Sequence, residues 1–187
     1  EVAGQRGSYA AKMPGGYEDK YADLRVLFGL VTTLPGRKLT FMGQELGGFG
    51  SFDGRSTIDW SVLEFDANNY FQKYIKEVNK LYNIKAALHG CGDEEVVFHE
   101  DGHVMSFVRH GKTSADSLYI VCNFGLKDIG DYSLSVADEG RYKEVFSSDN
   151  QKFGGEGNNN KGYKTAEDGV VKVAAPALSF AVFAHVK

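Results

Sequence analysis

A short run of apolar residues leads directly into glycines at Lys38-Leu39-Thr40-Phe41-Met42-Gly43-Gln44-Glu45-Leu46-Gly47-Gly48. The mainly apolar character of Leu39–Met42 is typical of a strand covered on both faces, as in a parallel sheet. In (β/α) barrels the carboxyl ends of the strands meet loops that carry the functional residues. The stretch therefore predicts a barrel strand followed by a loop in which Glu45 is a candidate site residue.

The length of the chain limits how much of a barrel it can contain. It has 187 residues, whereas a whole eight-fold barrel typically needs about 250. We therefore expect the chain to be one part of a larger protein.

Composition and charge exclude several classes of protein. The formal net charge is −4 and no basic field is present, which argues against nucleic-acid binding. No run of eighteen apolar residues occurs, and the start at Glu1 does not resemble a signal peptide. The two cysteines, Cys91 and Cys122, form no CxxC pair and no disulfide framework. These features predict a soluble cytoplasmic protein without a membrane partner.

Helical periodicity marks the first half of the chain. Apolar residues recur at three- and four-residue steps from Tyr21 to Leu34 and again from Phe71 to Tyr82. Pro35-Gly36 should end the first helix. The second helix has three N-cap candidates, which are Asp66, Asn68 and Asn69.

The second half of the chain changes to the alternating pattern of β-strands. Short strands separated by Gly, Asn and Asp are typical of an all-β sandwich or barrel. Glu100-Asp101-Gly102 is a plausible hairpin turn. We place the boundary between Leu88 and Asp93, which gives domains 1–87 and 88–187. The predicted strands are Val96–His99, Val104–Arg109, Leu118–Phe124, Tyr132–Val136, Tyr142–Phe146, Val170–Ala174 and Leu178–Val186.

Three residues near the glycine-rich loop are candidates for ligand binding. Glu45 could contact a hydroxyl-rich ligand, or it could be a buried structural acid paired with a cation. Asp59 and Trp60 close the same loop, and Trp60 is the only tryptophan in the sequence. An aromatic face can stack on a sugar ring, although a single tryptophan can equally belong to the core.

Other site motifs are absent from the sequence. None of the five histidines forms an HxxxH pair on a predicted helix, since His99 and His103 flank a turn, so no metal site is indicated. The run Gly47-Gly48-Phe49-Gly50 lacks the features of a Walker A or Rossmann loop, and no GxSxG elbow occurs. The sequence therefore indicates no cofactor.

The order of several motifs is specific. The first three motifs occur in a fixed order. They are Lys12-Met13-Pro14-Gly15, then Leu34-Pro35-Gly36-Arg37, which continues into the stretch quoted above, and then Ile58-Asp59-Trp60. Phe146-Ser147-Ser148-Asp149 then precedes the glycine-asparagine loop that starts at Phe153. Together these motifs strongly resemble the closing third of bacterial 1,4-α-glucan branching enzymes, members of the α-amylase superfamily.

The resemblance implies a fold and an activity. Residues 1–87 would be the C-terminal end of a (β/α)8 barrel, and 88–187 the all-β sandwich that follows it. The family cleaves an α-1,4-linked glucan by a retaining double displacement and transfers the chain to a 6-hydroxyl, which creates the α-1,6 branches of glycogen. The partners would be α-glucan and the missing N-terminal part of the barrel.

The resemblance also assigns roles to individual residues. No segment matches the motifs of the family's nucleophile and general acid, and the third carboxylate would lie just before Glu1. We therefore expect the chain alone to be inactive. Glu1, Arg6 and Lys12 would rim the glucan cleft, and Glu45, Asp59 and Trp60 would complete the substrate contacts.

Two alternatives to this hypothesis remain open. The chain could be a naturally short, non-catalytic protein whose sandwich is a carbohydrate-binding or interaction module. The sandwich could instead only cover the flank of the barrel, without any affinity for glucan. The unpaired strand and the apolar helix faces predict that residues 1–85 either lean on the sandwich or self-associate.

Overall fold

Among the described residues, three α-helices and three short 3-10 helices make up the first half of the chain, and two more 3-10 helices lie in the second half. The computed structural model describes residues 7–51, 55–89 and 99–186. The α-helices are α1 (Tyr9–Lys12), α2 (Tyr17–Thr33) and α3 (Asp66–Ile84). The 3-10 helices are Gln44–Leu46, Trp60–Glu64, Ala86–Leu88, Ser114–Asp116 and Gln151–Phe153.

Antiparallel strands make up the second half, which confirms the all-β prediction. In the described residues they form one sheet in the order β1-β2-β3-β8-β5-β6-β7-β4. The strands are β1 (His99–Asp101), β2 (Val104–Arg109), β3 (Leu118–Asn123), β4 (Ile129–Ser135), β5 (Gly140–Ser147), β6 (Lys164–Glu167), β7 (Val170–Ala175) and β8 (Ser179–Val186).

Most predicted strands agree with this sheet, and the differences are local. Asp101 pairs with Val104, so the hairpin turn is Gly102-His103, one residue later than predicted, and Gly102 has φ 62°. Strand β6 was not predicted because it is only four residues long and buries only Ala166. The residues of the predicted first strand before His99 lie outside the described part of the chain.

The sheet folds over itself, and the helices cover its outer face, so β3 and β8 lie in the middle of three layers. Tyr119 and Val121 on β3 point into the core between the two halves of the sheet. Ile120 and Cys122 point the other way, into a core shared with α2 and α3. This arrangement explains why every residue of β3 is buried.

Helix α2 lies very close to the sheet at Gly29. A Cβ atom built on Gly29 would be 2.5 Å from Cγ of Phe180 and 2.6 Å from the hydroxyl of Tyr74. The same hydroxyl donates a hydrogen bond of 2.7 Å to the carbonyl oxygen of Arg25. Because residue 29 is glycine, α2 can contact β8 at this point. The hydrogen bond from Tyr74 on α3 holds α2 in this position.

The C-terminal end of α2 is held by two cationic side chains. Fully buried Arg109 on β2 donates a hydrogen bond of 2.8 Å from Nη1 to the carbonyl oxygen of Thr33. Lys38 donates to the carbonyl oxygen of Leu34. Burial, and secondarily the charge of Arg109, lowers the pKa of Lys38 to about 8. Cations at this end also complement the helix dipole.

The predicted strand at Leu39–Met42 is wrong for this chain. The segment forms no strand, Leu39 is 83% exposed, and Met42 has a φ of 27°. A strand needs a hydrogen-bonded neighbour, and the described residues place none beside this segment. The segment has the sequence pattern of a strand, but none of the described elements is a hydrogen-bonded neighbour for it.

The helix predictions are partly confirmed. Helix α2 ends at Thr33, directly before the predicted stop, but it begins at Tyr17. Helix α3 has Phe65 as its N-cap residue, so the three N-cap candidates are wrong. Asn68 is buried instead, because its side chain has a tertiary hydrogen-bond partner.

The glycine-asparagine loop after β5 is tied to one carboxylate. Asp149 accepts hydrogen bonds from the amides of Glu156 at 3.0 Å and Asn158 at 2.9 Å. A Cβ atom on Gly155 would lie 2.3 Å from the carbonyl carbon of Asp149, so only glycine fits there. The motif therefore has a structural role in this chain.

Replacing Gly29 with alanine should destabilise the protein. Alanine normally stabilises a helix relative to glycine, but here its methyl group would overlap Phe180. We expect the free energy of unfolding to fall by about 1–3 kcal/mol, measured by urea denaturation. Gly130→Ala is the matched control, because a Cβ there meets nothing within 4 Å. Equal stability of the two variants would contradict the close packing of α2 on β8.

Candidate functional site

A cleft with a volume of about 290 Å³ opens between three segments that are distant in the sequence. Its walls are formed by 7–10, by parts of 41–51 and by parts of 56–62, with Leu24 at the base. The glycine-rich stretch singled out by sequence thus forms one wall. Asp59 lines the same cleft from the 56–62 segment.

The glycine-rich wall is a tight turn rather than a strand end. Gly43 and Gly47 flank the 3-10 helix Gln44–Leu46 and both adopt left-handed backbone conformations, with φ of 78° and 64°. The side chain of Gln44 closes the turn by accepting a hydrogen bond of 3.0 Å from the amide of Phe41. Glycine is favoured at both positions because this conformation strains other residues.

Two buried side chains support the turn from beneath. The hydroxyl of Tyr21 on α2 donates a hydrogen bond of 3.0 Å to the carbonyl oxygen of Gly47. Nδ2 of Asn68 on α3 donates one of 2.7 Å to the carbonyl oxygen of Leu46. The sequence analysis did not identify either residue as part of the site. The only signal was a polar atom on the otherwise apolar face of each helix.

Asp59 combines a capping role with a free acceptor. Its Oδ1 accepts hydrogen bonds from the hydroxyl of Ser61 at 2.6 Å and from the amide of Ser61 at 3.0 Å. These two bonds lower the pKa of Asp59, so the carboxylate is ionised at neutral pH. Oδ2 makes no hydrogen bond to the described residues and remains available to a ligand hydroxyl.

The other predicted site residues take different positions. Glu45 is half-buried in the turn and Trp60 is 57% exposed, and neither lines the cleft. Lys12 is the exposed last residue of α1 and also lies outside the cleft lining. Glu1 and Arg6 lie outside the described residues. Of the predicted residues that are described, only Asp59 lines the cleft.

The chemistry of the cleft suits a neutral, hydroxyl-rich ligand. The described lining combines apolar side chains such as Phe41, Met42 and Ile58 with hydroxyl and amide side chains, backbone groups and the carboxylate of Asp59, and it contains no lysine or arginine. A phosphate or another anion would lack a cationic partner there. Within the described ranges, no group of three or more His, Cys, Asp or Glu side chains could hold a metal ion.

A second cavity, of about 340 Å³, lies against the segment Leu39–Thr40. Its floor is apolar and comes from both long helices, with Leu27, Phe28 and Ile75 among the lining residues. Leu39 only partly covers it, since that side chain is largely exposed. The apolar face between α2 and α3 is therefore incompletely covered.

None of the helices among the described residues has the length and apolar character that a membrane span requires.

The chain matches known proteins over nearly its full length. The family model "Alpha amylase, C-terminal all-beta domain" matches residues 96–186. The 1,4-α-glucan branching enzyme GlgB of Aquifex aeolicus is 37% identical over 89% of this chain and 28% of its own length. The enzyme of the same name from Geobacillus stearothermophilus is 39% identical over 86% of this chain and 26% of its own length.

The chain thus spans about a quarter of the length of these relatives. One solved structure is similar to the chain in fold only. The α-amylase of Geobacillus thermoleovorans, complexed with acarbose, aligns with a TM-score of 0.65 at 12% identity, over 87% of this chain and 33% of that protein. The chain belongs to the 1,4-α-glucan branching enzymes and corresponds to their C-terminal region.

Proposed function

We propose that this chain forms one wall of the glucan cleft of a branching enzyme. The intact enzyme would cleave an α-1,4-linked glucan and transfer the chain to a 6-hydroxyl. The observation that carries the proposal is the meeting of three distant segments at one cleft without a described cationic side chain. Such a lining binds sugar hydroxyls through hydrogen bonds and excludes anionic ligands.

The reacting carboxylates would come from the rest of the enzyme. A retaining double displacement needs two carboxyl groups about 5–5.5 Å apart, one as nucleophile and one as acid and base. The described lining of the cleft supplies only Asp59, and one of its oxygens caps a helix. The chain would therefore bind and orient glucan, and it would neither cleave nor transfer it alone.

The remaining predicted contacts would lie at the edges of this cleft. Arg6 directly precedes the lining residue Gly7, and Glu1 and Lys12 belong to the same part of the chain. We propose that these residues rim the cleft in the intact enzyme, while Trp60 and Glu45 act at its outer edge. This assignment makes Asp59 the central contact that the chain contributes.

The exposed segment Leu39–Met42 would be the final strand of the catalytic barrel. It would pair with a neighbouring strand of the intact enzyme, and the second cavity would close when that pairing draws Leu39 onto the helices. Residues 1–87 would then belong to the barrel, and 88–187 to the C-terminal sandwich. The exposed side chains of Leu39, Phe41 and Met42 support this proposal.

The same exposed residues explain why the isolated chain would self-associate. The enzyme would act on glycogen or amylose in the cytoplasm, where branching enzymes find their substrate.

A chimera tests the proposed role of the chain. We would replace the matching C-terminal segment of the Geobacillus stearothermophilus enzyme with this chain and count the α-1,6 branches formed on amylose after enzymatic debranching. We expect the chimera to form branches, since the chain supplies the missing barrel elements, and the chain alone to form none. Branching by the chain alone, or a folded chimera without activity, would contradict the proposal.

Binding of maltoheptaose tests the cleft itself. Trp60 follows Asp59 directly and is the only tryptophan in the sequence, so its fluorescence should report ligand in the cleft. We expect weak binding to the wild-type chain. Asp59→Ser should weaken it about tenfold, because serine can still cap the helix but lacks the charged Oδ2 acceptor.

Asp59→Asn is the companion variant, since it keeps the shape of the side chain and removes only the charge. Its affinity should lie between those of the wild-type chain and Asp59→Ser. If all three proteins gave the same fluorescence titration, Asp59 would not contact the glucan.

A further inference from the structure

The turn at the cleft wall has two consecutive carbonyl groups that are both held from inside the protein. The Leu46 carbonyl accepts from Asn68, and the Gly47 carbonyl accepts from Tyr21. These bonds come from two different helices, α3 and α2. The orientation of two successive peptide planes is therefore determined by buried side chains rather than by the turn alone.

The peptide geometry carries this orientation to Gly48. The described residues contain no cis peptide bond, so the Gly48 amide points opposite to the Gly47 carbonyl. Since that carbonyl faces the hydroxyl of Tyr21, the Gly48 N–H points away from α2. Gly48 lines the cleft, and its amide donates no hydrogen bond to the described residues.

The supporting groups are rigid and keep their protonation state. Tyr21 is 1% exposed and Asn68 is 4% exposed. The Tyr21 ring contacts Phe71 and Phe49 edge to face, which fixes the direction of its hydroxyl. Burial raises the pKa of Tyr21, so the hydroxyl remains a donor across the working pH range.

The turn has no room for a side chain at Gly47. A Cβ atom there would lie 2.9 Å from the ring of Phe71 and 3.0 Å from the ring of Tyr21. The backbone of Gly47 thus sits directly on the two aromatic rings. Loss of the Tyr21 hydroxyl would free the peptide plane while leaving this packing in place.

We propose that Tyr21 and Asn68 are positioning residues that hold the Gly48 amide as a hydrogen-bond donor for a hydroxyl of the bound α-glucan. The inference rests on the proposed function, since it requires glucan in this cleft. The Gly48 amide would then offer a donor, and Oδ2 of Asp59 an acceptor, to a ligand in the same cleft. A sugar hydroxyl can use both, because it donates and accepts.

The test is a titration of the whole chain with maltoheptaose, followed by the amide signals of ¹⁵N-glycine-labelled protein. We expect the Gly48 signal of the wild-type chain to shift on binding. Tyr21→Phe should weaken the affinity about fivefold, the effect of one lost hydrogen bond. It should also move the signals of Gly47 and Gly48 before ligand is added. Asn68→Ala should do the same through the Leu46 carbonyl.

Tyr132→Phe is the matched control. Its hydroxyl is also buried and shares a hydrogen bond of 2.8 Å with Ser106, but it lies in the sandwich core. The control should lose a similar amount of stability and keep the wild-type affinity within twofold. A merely structural role of Tyr21 would make the two variants equal.

The outcomes separate this inference from the proposed function. Equal maltoheptaose affinities of Tyr21→Phe and Tyr132→Phe, in a chain that binds the sugar, would overturn the positioning role alone. A Gly48 signal that does not respond to bound sugar would do the same. Absence of any maltoheptaose binding to the wild-type chain would overturn both.

Discussion

The structure depends on the close contact between helix α2 and the outer face of the sheet. Strands β3 and β8 carry apolar side chains on both faces, so both faces must be covered. The inner face meets the other half of the sheet, and the outer face meets α2 and α3. Gly29 permits this approach, and Arg109 ties the end of α2 to β2. The helices are therefore part of the same folded unit as the sheet.

The candidate site depends on the same helices. They carry the buried residues Tyr21 and Asn68, whose hydrogen bonds support the wall of the cleft. A turn supported in this way can present backbone groups to a ligand without large rearrangement, which lowers the entropic cost of binding. The sheet thus supports the helices, and the helices support the cleft. A substitution at the helix and sheet interface can consequently alter the wall of the cleft without contacting it.

The sequence correctly predicted the elements that depend on local patterns. Its predictions failed for segments whose structure depends on contacts with residues distant in the sequence. The strands of the sandwich and the end of α2 follow from alternation and from Pro35. Leu39–Met42 has a strand pattern, but strand formation requires a neighbour that these elements do not supply. By residue type, Asn68 could also cap the start of a helix. Its role in the structure is instead set by its hydrogen bond to the Leu46 carbonyl. Asp59 was found because it lies beside the loop, whereas only the hydroxyl of Tyr21 distinguishes it from the core residues of its helix.

Amide hydrogen exchange tests the central claim, that α2 and the sheet unfold together. The informative amides are Val26 and Leu30 on α2 against Ile120 on β3 and Val182 on β8. Because the two elements share one core, all four amides should exchange through global unfolding. Their opening free energies should therefore equal the free energy of global unfolding and differ from one another by less than about 1 kcal/mol. Exchange of the α2 amides through openings several kcal/mol less costly would contradict the account, since the helices would then be a separate unit resting on the sheet.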